Sequence, residues 1–183
     1  MAMTPEVHAL VAHYGLRPLP VEGTLFAATY RGAAGESSAM VGLYCDEPPS
    51  LSRFHRLPVD EVWHFYGGDA LRLVLLHADG RSEDVILGRD TMATAGQRAQ
   101  FVVPAGCWQA GHLVAGGRYA LFGCTLAPAF DSTMFEGGAR DELLARYPQR
   151  AADITRLGCE PGHTRMPGLP GEPPRPPRPP RPI

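Results

Sequence analysis

The chain has 183 residues, 44% of them hydrophobic and 20% charged, which is the size and composition of one soluble globular domain. Its formal net charge of −2 is unlike that of a nucleic-acid-binding domain, so we expect no nucleic-acid partner. The sequence contains no lysine, which excludes a lysine Schiff base, a lysine anchor for pyridoxal phosphate and a P-loop lysine.

The first predicted element is a helix near the N-terminus. Thr4 suits the N-cap, Pro5 the first helical position and Gly15 a left-handed C-cap. The N-terminal residues lack the basic and apolar regions of a secretory signal, so we expect a cytoplasmic protein. No apolar run approaches the roughly 20 residues of a membrane-spanning helix, and we expect no membrane partner.

Short β-type runs, separated by Gly, Pro and Asp, follow this helix and continue to about residue 135. Many short strands at a spacing of about 8–12 residues predict an all-β sandwich or barrel. A helical segment over residues 139–156, divided by Pro148, is predicted to follow the strands. The nine predicted strands cover residues 23–30, 38–45, 51–56, 60–66, 70–77, 82–88, 99–103, 107–113 and 118–127.

The composition changes at Cys159. Residues 159–183 contain ten prolines and few side chains that could form a core. We therefore divide the chain into a folded domain, 1–158, and a Pro/Arg-rich disordered tail, 159–183. Within the tail, Arg175, Arg178 and Arg181 recur every third residue and would share one face of a polyproline II helix. A solvated tail and a segment that docks on an aromatic groove or an acidic surface both agree with this pattern.

Residues 48–73 give the strongest indication of a chemical site, because titratable and aromatic residues alternate there. In a strand, Glu61, Trp63 and Phe65 share one face, whereas His64 lies on the other. Inside a barrel, beside two aromatic rings, a carboxyl group has a raised pKa, as a general acid or base requires. His55 on an opposing strand would complete an acid–base pair with Glu61.

A second candidate stretch, residues 101–113, contains a turn at 104–106. Cys107 and Gln109 share one face of the strand that follows, and the Gln109 amide is suited to positioning a carbonyl or hydroxyl group. His112 lies on the opposite face, as His64 does on its own strand. Both histidines are therefore packing or interface residues unless a β-bulge turns them inward. The candidate substrate-binding set comprises Trp63, Phe65, Gln109, Cys107, Tyr44, His64 and His112.

Together the two stretches resemble the cupins. The first cupin motif is HxH, three or four residues, Glu, six residues, Gly, and the second is PxG, two residues, His. The matching positions in this sequence are His55, Glu61, Gly68, Pro104 and Gly106. Leu57 stands in place of the second histidine and Gln109 in place of the last one. The metal candidates that this resemblance implies are therefore His55, Glu61 and Gln109.

A closer resemblance is to the cupin-5 (DUF985) family. Its signature recurs as HR at 55–56, DE at 60–61, WH at 63–64, VPAG at 103–106, WQA at 108–110 and CTxAPxF at 124–130. The resemblance covers about residues 4–158. It implies a double-stranded β-helix, the cupin or jelly-roll barrel, which is often dimeric and has a small-molecule pocket. We expect this all-β barrel to carry an N-terminal helix and a short C-terminal helical segment.

From these observations we expect a metal-independent isomerase, epimerase or cyclase with a sugar-like or natural-product substrate. Glu61 would be the general acid or base, His55 its partner and Gln109 the polar positioning residue, between apolar walls at Trp63 and Phe65. Such proton transfer requires no cofactor. The alternatives are a metal-dependent cupin enzyme and a non-catalytic ligand-binding or structural cupin. We also expect a homodimer, because pairing between chains covers the exposed edges of a barrel.

Overall fold

A computed structural model describes residues 3–91 and 96–169 of the chain. Three α-helices and two 3-10 helices, Ser132–Met134 and Pro148–Arg150, accompany twelve strands in this part. The α-helices are α1 (Pro5–Tyr14), α2 (Arg140–Arg146) and α3 (Ala151–Leu157). The strands are β1 (Arg17–Pro18), β2 (Leu25–Arg31), β3 (Ser38–Cys45), β4 (Ser52–Arg56), β5 (Glu61–Gly68), β6 (Leu71–Leu76), β7 (Ser82–Leu87), β8 (Gln97–Arg98), β9 (Gln100–Val103), β10 (Trp108–Leu113), β11 (Tyr119–Leu126) and β12 (Glu136–Gly137).

The strands form two six-stranded sheets. The first sheet has the order β1-β2-β3-β11-β5-β9 and the second the order β12-β4-β10-β6-β7-β8. Strand pairs are antiparallel apart from β7 with β8. Strands β3 to β6 lie alternately in the two sheets, so the chain crosses repeatedly from one layer to the other and winds around a common core.

The main core lies between the inner faces of the two sheets. Tyr44, Trp63 and Phe122 of the first sheet pack with Leu73 and Leu75 of the second, and none of the five is more than 2% exposed. Burying one large apolar side chain stabilises a fold by about 1.5–3 kcal/mol. These side chains fill the space between the two sheets.

The helices cover the outer faces of the sheets. Helix α1 packs Val7 against Val41 and Leu43 of strand β3. Helices α2 and α3 pack on the second sheet, where they cover the outward side chains of strand β6. That strand is therefore buried on both faces, which explains the uninterrupted apolar run from Leu73 to Leu76.

The structure confirms the all-β prediction, and the nine predicted strands agree with the observed ones to within two residues at each end. Thr4 caps α1 by accepting a hydrogen bond from the Val7 amide, and Gly15 ends the helix with a φ of 63°. Pro148 separates α2 from α3 as predicted. The sequence missed β1, β8 and β12, because two-residue strands carry no alternation of their own. Within the described residues no helix has the length and hydropathy needed to span a membrane.

The packed part of the chain extends beyond the predicted boundary at residue 158. Cys159 pairs with Ala139 and is 1% exposed, and Met166 is 3% exposed. Met166 packs with Phe26 and Phe135, so this segment closes a gap at the edge of the barrel. The high proline content of residues 159–183 gave no indication that the side chains of Cys159 and Met166 are buried. The rest of the predicted tail, residues 170–183 with its three periodic arginines, lies outside the described residues.

Candidate active site

A cavity of about 150 Å³ lies between the first sheet and strand β4. Two inward-facing rows of side chains, each crossing β2, β3, β11 and β5 in that order, form its main wall. Both rows are exposed at β2 and buried at β5, so the cavity has its mouth at β2 and its closed end at β5. The first row contains Arg31, Ser38, Leu126 and Glu61, and the second Ala28, Met40, Cys124 and Trp63. The opposite wall includes His55, Leu57, Phe130 and Phe135.

Glu61 lies at the closed end and is 7% exposed. Its Oε2 atom accepts a hydrogen bond from Nε2 of Gln109 at 2.5 Å, and Oε1 of Gln109 accepts one from the Trp63 indole at 2.9 Å. Burial raises the pKa of Glu61, and the nearby His55 opposes part of that rise. The amide of Gln109 thus holds the carboxyl beside the indole, and its hydrogen bond opposes part of the rise in pKa that burial causes.

The imidazole of His55 is 3% exposed and is held from two sides. Its Nδ1 atom lies 2.8 Å from the carbonyl oxygen of Arg53, which can only accept, so Nδ1 carries a proton. The ring stacks on Phe135 with centroids 5.2 Å apart. Nε2 lies 3.9 Å from Oε2 of Glu22, beyond hydrogen-bond distance. In the neutral ring, Nε2 is therefore free to accept a proton from a ligand.

Glu22 is a cavity residue that the sequence analysis missed, and it is 7% exposed. Its Oε1 atom accepts hydrogen bonds from Thr24 Oγ1 at 2.5 Å and Ser52 Oγ at 2.7 Å. The preceding residue, Val21, has a φ of 68°, a conformation that β-branched residues rarely adopt. Strain of this kind clusters at functional sites. Because Glu22 lies in a loop, its one signal in the sequence is that it is the one charged residue in the largely apolar stretch 19–26.

Four of the predicted site residues come together at the cavity or directly behind it. His55, Glu61 and Trp63 line the cavity, and Gln109 lies behind Glu61 with 1% exposure. Tyr44 lies deeper in the core, where its hydroxyl bonds to Ser52 Oγ at 2.5 Å. Burial raises the pKa of Tyr44 well above its ordinary value, so its role at neutral pH is that of a hydroxyl group.

The other four candidates lie away from the cavity. Phe65 lines a separate shallow pocket beside Tyr66. Cys107 contacts the Leu76 carbonyl, and burial raises its pKa to about 11. The two histidines lie on outer faces as the alternation predicted: His64 bonds to Thr125 Oγ1 at 3.0 Å, and His112 donates to the Leu113 carbonyl.

The side chains at the cupin ligand positions do not fit a metal centre of the cupin type. Leu57 places an apolar side chain at the second histidine position. Both ends of the Gln109 amide are engaged, one by Trp63 and the other by Glu61. Within residues 3–91 and 96–169, no three His, Cys, Asp or Glu side chains come together as a metal site. His55 and Glu61 alone are two strong donors where four or more are usual, so we derive no step through a metal.

A family model described as cupin superfamily (DUF985) matches residues 8–137. The structure resembles that of a Shewanella oneidensis protein at 30% identity and a TM-score of 0.75, over 87% of this chain and 99% of that one. It also resembles a hypothetical protein from Leishmania major at 27% identity and a TM-score of 0.72, over 84% and 98%. A cupin 2 domain-containing protein from Halorhodospira halophila shares the fold at 16% identity and a TM-score of 0.51, over 76% and 86%, which confirms the predicted double-stranded β-helix. No functionally curated protein matches the chain significantly.

Proposed function

Since the chain belongs to the DUF985 family of the cupin superfamily, a small-molecule-binding fold, we propose that it is an isomerase, epimerase or cyclase of a small oxygenated molecule. Glu61 and His55 transfer the protons, without a metal. One observation carries this proposal. Two titratable groups of different kinds, both more than nine-tenths buried, open onto the same largely apolar cavity. Buried polar groups cost stability unless they are paired or used.

The proposed reaction begins with a carbonyl compound whose oxygen faces Glu61. Protonated Glu61 gives its proton to the carbonyl oxygen while Nε2 of His55 removes a proton from the adjacent carbon. The electron pair of the broken C–H bond forms the C=C bond of an enol. His55 then returns its proton to the former carbonyl carbon of an enediol, or to the same carbon after the enol has turned its other face to the ring, while the Glu61 carboxylate takes back a hydroxyl proton. The product is the isomer or the epimer, and both side chains are restored. No oxidant or reductant is consumed.

The surrounding residues support these two roles. Gln109 and Trp63 hold the Glu61 carboxyl in one orientation. Glu22, 3.9 Å from Nε2 of His55, stabilises the imidazolium that forms when the ring takes up a proton. The apolar walls keep the substrate out of bulk water, where the same charges would interact far more weakly.

Deuterium exchange tests the proposal without knowledge of the product. The protein is incubated in D₂O with a panel of keto-sugars and cyclic ketones, and loss of the α C–H signal is followed by proton NMR. Glu61→Gln and His55→Asn should each slow the exchange by about 10²–10⁴-fold. Glu83→Gln and His64→Asn make the same chemical changes outside the cavity and should leave the rate unchanged.

Each alternative function predicts a different outcome. Exchange that EDTA abolishes and a divalent metal restores would favour a metal-dependent enzyme over the proposal. Ligands that bind tightly but exchange no proton would favour a non-catalytic binding protein. Exchange that persists in Glu61→Gln would remove Glu61 from the mechanism.

Homodimer assembly and a cytoplasmic location stay predictions. Light scattering after size exclusion should give twice the mass of the chain at micromolar concentration. A monomer at that concentration would contradict the predicted dimer.

A further inference from the structure

Arg31 and Glu61 occupy the two ends of one cross-strand row in the cavity wall. The register pairs Arg31 with Ser38, Ser38 with Leu126 and Leu126 with Glu61. Three strand spacings of about 4.8 Å place the two outer Cα atoms about 14 Å apart. Because Arg31 is exposed and Glu61 is buried, the row leads from a guanidinium at the mouth to a carboxyl at the closed end.

The Arg31 guanidinium has hydrogen-bonding capacity left for a ligand. One nitrogen donates to the Phe130 carbonyl oxygen at 2.6 Å, whereas a guanidinium has five N–H donors. Within the described part of the chain, no carboxylate lies at salt-bridge distance from Arg31. By contrast, Arg56 and Arg72 on the outer faces pair with Glu136 and Asp84.

A second cation stands at the same mouth. Arg17 also lines the cavity, and its guanidinium lies 5.7 Å above the ring of Phe26. Since Arg17 pairs with Phe26 and Arg31 ends the same strand, β2, the two arginines flank the mouth at its two sides. Both arginines at the mouth are positively charged, while the two carboxyl groups among the described lining residues, Glu22 and Glu61, lie deeper.

We propose that the substrate of this site is a small molecule of about one ring with an anionic group, a carboxylate or a phosphate, that Arg31 binds at the mouth. A volume of about 150 Å³ accommodates a benzene-sized ring. The planar guanidinium matches the oxygens of a carboxylate or phosphate. The closed end is buried and contains the Glu22 side chain, an environment that disfavours an anion, so the molecule enters with its neutral, reacting end toward Glu61. This inference rests on the proposed function for the reacting end alone.

Binding of matched ring compounds tests the anion contact without turnover. The probes are benzoate with benzamide, cyclohexanecarboxylate with cyclohexanecarboxamide, and phenyl phosphate with phenol. Dissociation constants are measured by calorimetry at low salt. The indole N–H signals of the two tryptophans locate the ligand, because Trp63 lines the cavity and Trp108 does not.

The wild type should bind the anion of a pair more tightly than its neutral partner and should shift the Trp63 signal. Arg31→Gln should weaken anion binding by about two- to fivefold, the range of an exposed ion pair, and leave the neutral probe unchanged. Arg31→Lys should restore part of the loss, and 0.5 M salt should remove the preference. Arg98→Gln, which removes an exposed arginine over Phe101 away from the cavity, should bind like the wild type. The carboxylate and phosphate pairs show which anion the site prefers.

Equal binding of anion and neutral partner would overturn the inference, as would unchanged anion binding in Arg31→Gln or the absence of binding by every probe. Its failure is distinguishable from failure of the proposed function. Anion-selective binding together with no deuterium exchange on any panel member, on a cyclic keto acid or on a keto-sugar phosphate would refute the acid–base proposal and leave the anion site standing. Deuterium exchange with neutral ketones, together with equal binding of anionic and neutral probes, would refute the anion site and leave the acid–base proposal standing.

Discussion

Ser52 connects the cavity to the core, and its removal tests whether these hydroxyl groups act as one network. Its hydroxyl lies 2.7 Å from Glu22 Oε1, 2.7 Å from Thr24 Oγ1 and 2.5 Å from the Tyr44 hydroxyl. In Ser52→Ala, Glu22 and Thr24 keep the bond to each other. The Tyr44 hydroxyl, fully buried, loses the one hydrogen-bond partner it has among the described residues.

The expected loss of stability depends on how many hydrogen-bond partners each hydroxyl group keeps. An unsatisfied buried hydroxyl costs about 1–3 kcal/mol, and the lost bonds to Glu22 and Thr24 add about 1 kcal/mol. We therefore expect Ser52→Ala to lower the free energy of unfolding by about 2–4 kcal/mol. Tyr44→Phe removes one bond, leaves Ser52 two partners and should cost about 0.5–1.5 kcal/mol. In the double variant no hydroxyl is orphaned, so its cost should be about 1–2 kcal/mol less than the sum of the single costs.

Urea unfolding of the wild type, the two single variants and the double variant measures this coupling. Ser82→Ala is the control, because Ser82 accepts one part-buried bond from Arg150 outside the network, and its loss should cost about 0.5–1.5 kcal/mol and add to the cost of Tyr44→Phe. Costs that add to within about 0.3 kcal/mol would refute the reasoning, since independent hydroxyl groups would then replace the proposed network.

Three further predictions concern the same barrel. Burial raises the pKa of Glu61, so the folded chain binds this proton more readily than the unfolded chain. The contribution of Glu61 to the free energy of unfolding therefore falls as the pH rises from its pKa in the unfolded chain toward its higher pKa in the folded chain. Glu61→Gln should therefore gain stability relative to the wild type as the pH rises above about 4.3, the ordinary pKa of a glutamic acid, and urea unfolding at a series of pH values measures the difference. A pH-independent difference would contradict this. Leu57→His combined with Gln109→His restores the set of ligands found in the cupin motifs. Elemental analysis should find close to one divalent transition metal ion per chain of this double variant and far less in the wild type. Equal metal contents would contradict the prediction. In Gly111→Ala the new methyl group meets the buried Tyr44 side chain and should lower the free energy of unfolding by about 1–3 kcal/mol. Gly123→Ala is the control, because its methyl group meets the exposed Tyr66 side chain, which can move. Equal thermal stabilities of the two variants would contradict this prediction.

The local pattern of the sequence was sufficient to predict an all-β sandwich or barrel of short strands. Alternation in a strand has a period of two residues, so the faces of Glu61, Trp63, His64 and His112 followed from position alone. The caps of α1 and the break at Pro148 also depend on neighbouring residues. The resemblance of the motifs around His55 and Pro104 to those of the cupins then implied the double-stranded β-helix. Residues 159–169 were mispredicted because proline content describes a whole segment, whereas burial depends on where single side chains such as Met166 meet the barrel.

The site needed the tertiary structure, because its parts are brought together by register and by loops. The sequence predicts that Gln109 and Glu61 face inward. Only the packing of the two sheets against each other brings the Gln109 amide onto the Glu61 carboxyl group, so that it binds this group rather than a ligand. Glu22 reaches the cavity from a strained loop, and a loop has no alternation of apolar and polar residues from which its inward position could be predicted. Arg31 lies 30 residues before Glu61, and four strands in register bring the two into one row. The sequence by itself determined the barrel and which side chains face inward; long-range strand pairing decided which of them meet at the cavity.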